Sequence, residues 1–297
     1  MNKQTILIAG ATGNIGGGAA VALAKRGAKI VLLGRKLKTL EDRAASIRAT
    51  LTENRIDFKD TDIATLVVDF TDMESVKKAA GDAMNRFSTI DGLILSVGHC
   101  VQNGPNILPN GNELMFATSV IGPFLFTQLL SKKIIESGGL VLQVIAPFYE
   151  EINWDDIESI KNHKTTIAYN RAKTCERAIA GELARRYAGR ISSVAFNPSF
   201  IIDKSDPELK KRWPKGFFGL VWWIFAVLLS KPPAVAGEPI ADIILSHQDR
   251  GAINGALFKL NRRIDKPDKA MNDLVLGKRL WNELVLLTGY CKKGTSG

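Results

Sequence analysis

Tyr169 and Lys173 stand four residues apart in Tyr169-Asn170-Arg171-Ala172-Lys173, near the start of a stretch with helical apolar spacing over 167–188. On a helix that spacing puts both side chains on one face, about one turn apart. A free tyrosine hydroxyl, with a pKa of about 10, is a poor proton donor or acceptor near neutrality. An ammonium group one turn away stabilises the tyrosinate and lowers that pKa, so the pair can pass a proton to or from a carbonyl oxygen. The spacing by itself arises often by chance. Its surroundings decide what it means.

A second group of residues has the types needed to hold phosphate. Gly10, Gly13 and Gly16 lie in Ala9-Gly10-Ala11-Thr12-Gly13-Asn14-Ile15-Gly16, between a short apolar run and a helical pattern. Missing side chains let the backbone turn tightly and approach a pyrophosphate, and free N–H groups at the helix start point at it. With Thr12, Asn14 and Ile15 they make a candidate dinucleotide loop, in the strand-to-helix context that the glycine pattern requires.

The next apolar run ends Leu33-Gly34-Arg35-Lys36 and carries no carboxylate, where a binder of an unphosphorylated ribose usually places Asp or Glu. Arg35 can grip a 2′-phosphate through a forked, charge-assisted contact, and Lys36 adds positive charge. NADP(H) is therefore expected over NAD(H), with a solvated basic strand end as the plain alternative. Asp69-Phe70 ends the third run. An Asp there suits the adenine amino group, with neighbouring backbone completing the contact, and it equally suits a helix cap.

These residues need a frame. Short β-branched or leucine-rich runs at Ile6–Ala9, Ile30–Leu33, Leu66–Val68, Leu93–Leu95, Leu140–Ile145 and Ser193–Phe196 alternate with helical patterns at about 15–27, 38–53, 73–87, 111–136 and 167–188. Such alternation predicts an α/β fold: a doubly wound parallel sheet with helices on both faces. No repeat and no Pro/Gly-rich linker divides the chain, so 1–290 reads as a single domain with a short flexible tail at 291–297. Two excursions interrupt the alternation, a polar one at 147–166 and a basic, then apolar one at 199–232. Long excursions beyond strand ends shape substrate sites.

The 297 residues are 45% hydrophobic and 24% charged, which excludes a disordered or fibrous chain. Cys100, Cys175 and Cys291 are scattered and odd in number, and with only His99, His163 and His247 to join them they predict neither a disulfide framework nor a metal site. A reducing, cytoplasmic setting follows. His99 beside Cys100 reads as a loop histidine, and Asp155-Asp156 beside Trp154 as a solvated turn. The formal charge of +10 favours anionic partners, yet no basic stripe interleaved with aromatics supports nucleic-acid binding.

The longest apolar run, Phe217–Leu229, is thirteen residues. A spanning helix needs roughly 18–20, so none is expected. Lys210, Lys211, Arg212 and Lys215 precede the run and Trp222-Trp223 lie in it, which suits peripheral contact with a membrane through 210–231. Burial at a subunit contact explains the same run nearly as well.

Taken together the residues resemble the short-chain dehydrogenase/reductase family over about 4–260: the glycine loop, Asp69, Gly98 after the fourth strand, Tyr169 with Lys173, and Asn197-Pro198 after the sixth. The polar insertion and the Trp222-Trp223 segment look most like the retinol-dehydrogenase-like branch. The resemblance implies a Rossmann-type fold and NAD(P)(H)-linked alcohol–carbonyl chemistry on an apolar small molecule. It implies Tyr169 as acid/base, with Lys173 lowering its pKa and holding the nicotinamide ribose. Gly98 and Pro198 become further cofactor contacts, and the long helices become the contact of a homo-oligomer. Three positions depart from the family pattern. Leu95-Ser96-Val97-Gly98 replaces Asn-Asn-Ala-Gly, Ser119 occupies the place of the catalytic asparagine, and Ala146 falls where a serine holds the substrate oxygen. Tyr149 or a group of the substrate could substitute. These departures motivate a second reading, a non-catalytic NADP(H)-binding sensor or scaffold of the same fold.

Overall fold

The computed structural model describes residues 3–98, 104–204, 224, 228–246, 250–266 and 268–290. Eight strands form one sheet in the order β3-β2-β1-β4-β5-β6-β7-β8. They are β1 Thr5–Ala9, β2 Lys29–Gly34, β3 Ile63–Val67, β4 Gly92–Leu95, β5 Leu140–Val144, β6 Ser192–Asn197, β7 Leu257–Lys259 and β8 Arg262–Ile264. Strands β1 to β7 are parallel, as the alternating pattern predicts. The last departs from that pattern: β8 runs antiparallel to β7, Leu257 facing Ile264. The connection between them is only Leu260 and Asn261, which allows a hairpin and nothing else, since a parallel return needs a crossover.

The main helices are α1 Asn14–Lys25, α2 Leu37–Glu53, α3 Met73–Arg86, α4 Leu114–Glu136, α5 Thr165–Arg186, α6 Ala234–Leu245 and α7 Leu274–Thr288. Each of the first five matches a helical stretch read from the apolar spacing. Along β1, Ile6 and Ile8 join a core with residues of α1, α2 and α6, whereas Leu7 and Ala9 join the opposite core with residues of α3, α4, α5 and α7. Alternate residues of a strand point to opposite faces, so a strand buried on both sides is apolar throughout.

Helix α4 is 23 residues long and apolar enough to cross a membrane, although no such helix was expected from the length of the uninterrupted apolar runs. Most of its apolar window, 83%, is buried inside the fold, where it serves as a core helix. Its Ser and Thr residues break up the run without breaking the burial: Thr127 Oγ1 donates to the Pro123 carbonyl at 2.8 Å and Ser131 Oγ to the Gln128 carbonyl at 2.7 Å. Helix α7 then packs over α4 and α5. Its Trp281 stands edge-on to Phe124 at 5.0 Å, and the Arg186 guanidinium lies 4.6 Å from the Trp281 ring centre.

The polar excursion after β5 folds on itself. Asn153 caps a turn at Trp154–Asp156, and the Asp156 carboxylate accepts from the Ile160 N–H at 2.7 Å. The Asp155-Asp156 pair thus serves a turn. The second excursion leaves and returns at one point, where Lys231 N–H donates to the Phe200 carbonyl at 2.9 Å and Ile202 N–H to the Lys231 carbonyl at 3.1 Å. Residues 205–223 lie outside the described residues, with Lys210, Lys211, Arg212, Lys215, Trp222 and Trp223. So do His99, Cys100, His247 and the tail at 291–297.

Helices α1 and α6 approach so closely that only glycine fits between them. A Cβ on Gly237 would lie 2.3 Å from the Gly18 carbonyl oxygen, and one on Gly18 would lie 2.4 Å from that of Pro233. Gly237→Ala should therefore destabilise the protein by about 1–3 kcal/mol, overpacking outweighing the helix propensity gained. Urea unfolding monitored by circular dichroism checks this. A neutral or stabilising change would contradict the close packing.

Candidate functional site

The parallel register brings several strand ends to one edge. Ala9 pairs with Leu33 of β2 and with Leu95 of β4, and Gly34 pairs with Val67 of β3. The loops that follow therefore leave side by side. After β1 the chain turns at Gly10, whose φ of +77° belongs to the left-handed region. Gly13 N–H donates back to the Gly10 carbonyl at 2.9 Å, and Gly13 then caps α1. A Cβ on Gly10 would lie 2.6 Å from the Ser96 carbonyl oxygen, and one on Gly16 would lie 2.4 Å from the Gly10 carbonyl oxygen. Backbone lies directly on backbone here.

Ser96 seals this junction, its Oγ donating to the Ala9 carbonyl at 2.6 Å. No side chain caps the first turn of α1, Thr12 and Gly13 are exposed, and Asn14 and Ile15 are half-buried. First-turn N–H groups left without a side-chain partner, at the positive end of a helix dipole, suit an anion. The cradle that a Cβ would fill fits a dinucleotide. Arg43 is brought to the same loop from α2, its Nη2 donating to the Thr12 carbonyl at 3.3 Å. Nothing in its sequence position signals that contact.

Arg35 follows β2 directly and Lys36 caps α2; both are exposed, with no ion-pair partner among the described residues. Asp69 lies at the end of β3, half-buried, where its Oδ1 accepts from the Thr71 N–H at 3.0 Å and the Thr71 hydroxyl at 2.7 Å. The cap of α3 is Asp72, which accepts from the Glu74 N–H at 3.0 Å. Asp69 is thus a turn residue with one oxygen committed locally. The Phe70 ring is buried, edge-on to Phe126 at 5.7 Å, which leaves only its backbone for any ligand.

A cavity of about 420 Å³ opens at this edge, lined by Ile15, Ser96, Gly98, Ala146, Tyr169, Lys173, Pro198 and Ser199 among others. It brings Ile15, at the end of the glycine loop, to the same cavity as the Tyr169–Lys173 pair, which the sequence could place only on separate elements. Tyr169 is half-buried, and the Lys173 Nζ lies 5.7 Å from its ring centre. Lys173 is 7% exposed and Glu176 is 1% exposed. The Lys173 Nζ donates to both carboxylate oxygens of Glu176 at 2.9 Å. Burial alone would lower the Lys173 ammonium, but Glu176 and Tyr169 outweigh it and hold the group above the ordinary lysine value. Burial pushes the Glu176 carboxyl up to about 7, against the pull of Lys173 and Arg177. Sequence reasoning missed Glu176. Its spacing from Lys173 was available as a signal, its burial was not.

Ser119 sits in a π-helical turn, Ala117–Ile121, inside α4. That widened turn carries it toward Gly98: a Cβ on Gly98 would lie 2.6 Å from the Ser119 Oγ and 3.7 Å from the Lys173 Nζ. Ala146 stands on the cavity wall after β5 with no hydroxyl. Tyr149, one of the two substitutes considered, does not line the cavity, and the Lys269 ammonium lies 4.1 Å from its ring centre. Phe148 is the last residue of this stretch to line the cavity, and Arg177 Nη2 donates to its carbonyl at 2.6 Å. Ser199 does line the cavity, and its N–H donates to the Asn197 Oδ1 at 3.0 Å.

Comparison with known proteins adds three findings. A family model described as short chain dehydrogenase matches residues 4–154. The chain is 24% identical to Retinol dehydrogenase 14 of Mus musculus over 302 residues, covering 98% of this chain and 88% of that protein. It is 25% identical to Retinol dehydrogenase 13 of Homo sapiens over 296 residues, covering 96% and 85%. Among solved structures, a short chain dehydrogenase of Shigella flexneri 2a complexed with NADP superposes with a TM-score of 0.65 at 19% identity, covering 88% of this chain and 98% of that one. At that identity the likeness is one of fold.

The contact between Gly98 and Ser119 is testable. Gly98 has a φ of +120°, and any side chain there meets the Ser119 hydroxyl. Gly98→Ala should cost about 1–3 kcal/mol of stability. Adding Ser119→Ala removes the closest atom, so in a double-mutant cycle the two changes should cost less together than the sum of their separate effects. Strict additivity would mean that the two residues do not touch.

Proposed function

The chain belongs to the short-chain dehydrogenase family, in its retinol-dehydrogenase-like branch, and on that premise we propose that it is an NADP(H)-dependent oxidoreductase interconverting an alcohol and a carbonyl on an apolar substrate. The observation that carries this reading is the opening of Tyr169 and Lys173 into one cavity with Ile15 of the glycine loop, Gly98 and Pro198. Gly10, Thr12, Gly13, Asn14, Ile15 and Gly16 would hold the pyrophosphate, Arg35 and Lys36 the 2′-phosphate, Asp69 and the Phe70 backbone the adenine, and Gly98, Lys173 and Pro198 the nicotinamide half. The relative complexed with NADP supports the choice of nucleotide by likeness of fold. The exposed Arg35 and Lys36 support it by charge. When bound, the nicotinamide supplies or accepts the hydride.

The chain's own residues move the proton. The Tyr169 hydroxyl gives its proton to the carbonyl oxygen in reduction and takes it back in alcohol oxidation. Lys173 holds positive charge beside it, and Ser119 with Gly98 shapes the floor. Ala146 offers no hydrogen bond to the developing oxyanion, a contribution often worth about 3 kcal/mol. We assign the compensating hydroxyl to Ser199, which also lines the cavity. Val144, Ile145, Pro147, Phe148, Phe200 and Ile201 add apolar lining beside the polar Asn197 and Lys259, and we take that apolar share to favour an apolar substrate.

We read the chain as one nucleotide-binding domain over 1–290, with 199–232 as a substrate lid and 210–231 as a peripheral membrane contact of a cytoplasmic protein. A homo-oligomer belongs to the same reading. Its contact must lie away from the faces of α4 and α5 that α7 covers. The second reading, an NADP(H)-binding sensor or scaffold without turnover, draws on Ala146 and Ser119, where the family's serine and asparagine are replaced. Tyr169 and Lys173, both retained, count against it.

Two measurements test the proposal. NADPH oxidation over a panel of aldehydes and ketones, set beside NADPH binding, should show turnover that Tyr169→Phe abolishes while binding stays within about twofold, since only the proton-transfer oxygen is lost. Binding without turnover on any carbonyl would select the sensor reading. Arg35→Asp should weaken NADPH by about 2–4 kcal/mol and leave NADH nearly unchanged, because a charge-assisted fork is lost and like charges are brought together. Equal losses for both nucleotides would defeat the NADP(H) assignment.

A further inference from the structure

We infer that Glu176 is a positioning residue of this site: its carboxylate clamps the Lys173 ammonium with both oxygens, so that Tyr169 faces a neutralised ion pair and not a free cation. The geometry is specific. Lys173 Nζ lies 2.9 Å from each Glu176 oxygen, both side chains are buried, and the same Nζ is 5.7 Å from the Tyr169 ring centre. A lysine ammonium has three donors. Two of them are spent on Glu176, which leaves one for the cavity.

A cation within about 4–6 Å of a tyrosine favours the tyrosinate, and a carboxylate bound to that cation cancels much of the effect. The charges acting on Glu176 are those of Lys173 and Arg177, and those acting on Lys173 are Glu176 and Tyr169, all on α5. Cys175, on the same helix, is fully buried with its thiol pushed up by that burial, so it stays neutral. From the neighbouring elements the Asp268 carboxylate pairs with Arg177 at 2.8 Å, α4 contributes the neutral Ser119 hydroxyl, and Lys259 of β7 lines the same cavity as Tyr169. Burial raises the Glu176 carboxyl to about 7, so the pair is fully ionised only above neutrality. Below that pH a protonated Glu176 uncovers the Lys173 charge. The carboxyl therefore sets how strongly the lysine acts on the tyrosine, and it loosens that restraint as pH falls.

This inference rests on the reading of Tyr169 as the proton-transfer residue, but its test does not use turnover. The 297-residue chain has four tyrosines, so the Tyr169 titration is obtained as the tyrosinate absorbance of each protein minus that of its Tyr169→Phe counterpart. The titration runs above neutral pH, where the native pair is intact. Glu176→Gln keeps the size and one acceptor but removes the charge. Tyr169 should then titrate lower by about one pH unit or more. An unchanged titration, with only stability altered, would show Glu176 to be structural. An upward shift would show that the lysine loses its proton without Glu176. Either result overturns the proposal.

Should Glu176→Gln not fold, Lys173→Met with Glu176→Gln leaves no buried charge at the pair. Tyr169 in that double variant should titrate within about half a unit of the native protein, because the native pair is nearly neutral as the tyrosine sees it. A rise of about one unit or more would mean that Lys173 acts natively as an uncompensated cation, and the proposal would fail. Absence of turnover on every carbonyl would defeat the oxidoreductase reading and leave this titration to stand or fall by itself.

Discussion

Along β1 the side chains of Ile6 and Ile8 enter one core and those of Leu7 and Ala9 enter the other, and neither core is open to water. A sheet that is apolar on both faces must be covered twice. Parallel pairing meets that demand, because each crossover carries a helix over one face and returns the chain to the same end of the sheet. The consequence for the site is geometric. Gly10, Arg35, Asp69, Gly98, Ala146 and Pro198 each follow a different strand, β1 to β6 in turn, and so they gather at one edge. Chemistry collects where six carboxyl ends meet.

That gathering depends on contacts with no slack. Gly10, Gly16 and Ser96 bring two strand ends and a helix start within backbone contact, and Gly18 with Gly237 locks the same helix onto α6. The loop is held by the fold and not by its own hydrogen bonds alone. Interiors are close-packed, so a methyl group added at such a point displaces whole elements. The widened turn around Ser119 is a further instance, since it moves one side chain of an otherwise regular core helix toward Gly98.

Electrostatics enters against this background of tight packing. Lys173 and Glu176 are both buried, and a buried charge is tolerated only with a partner of good geometry. Arg177, the next residue of α5, is buried and paired in the same way with Asp268, tying α5 to the chain before α7 and to the Phe148 carbonyl. Such pairs contribute little net stability, but removing one member leaves the other stranded at a cost of about 3–5 kcal/mol. They fix orientation. Tyr169 thereby gains a charged neighbour that cannot wander.

Much of this was legible in residue order. Periodicities of two and 3.6 are local properties of the chain, so the first six strands and first five helices could be read directly, as could the glycine loop, Arg35 with Lys36, and the Tyr169–Lys173 pair. What failed were inferences that needed a third dimension. Helix α4 was read at 111–136 but not as a helix long and apolar enough to span a membrane, because Ser and Thr interrupt its apolar runs while their hydroxyls satisfy themselves on helix carbonyls. Tyr149 had a hydroxyl at a promising distance along the chain, but Arg177 holds the wall so that its ring meets Lys269. Arg43 and Glu176 carried no motif. Residue types and spacings thus determined which chemistry the chain could attempt, since a strand or helix presents its side chains by local geometry. Only the tertiary structure decided which of those groups face one another and which lose water, because burial is set by elements distant in sequence and burial governs the charge on Lys173 and Glu176.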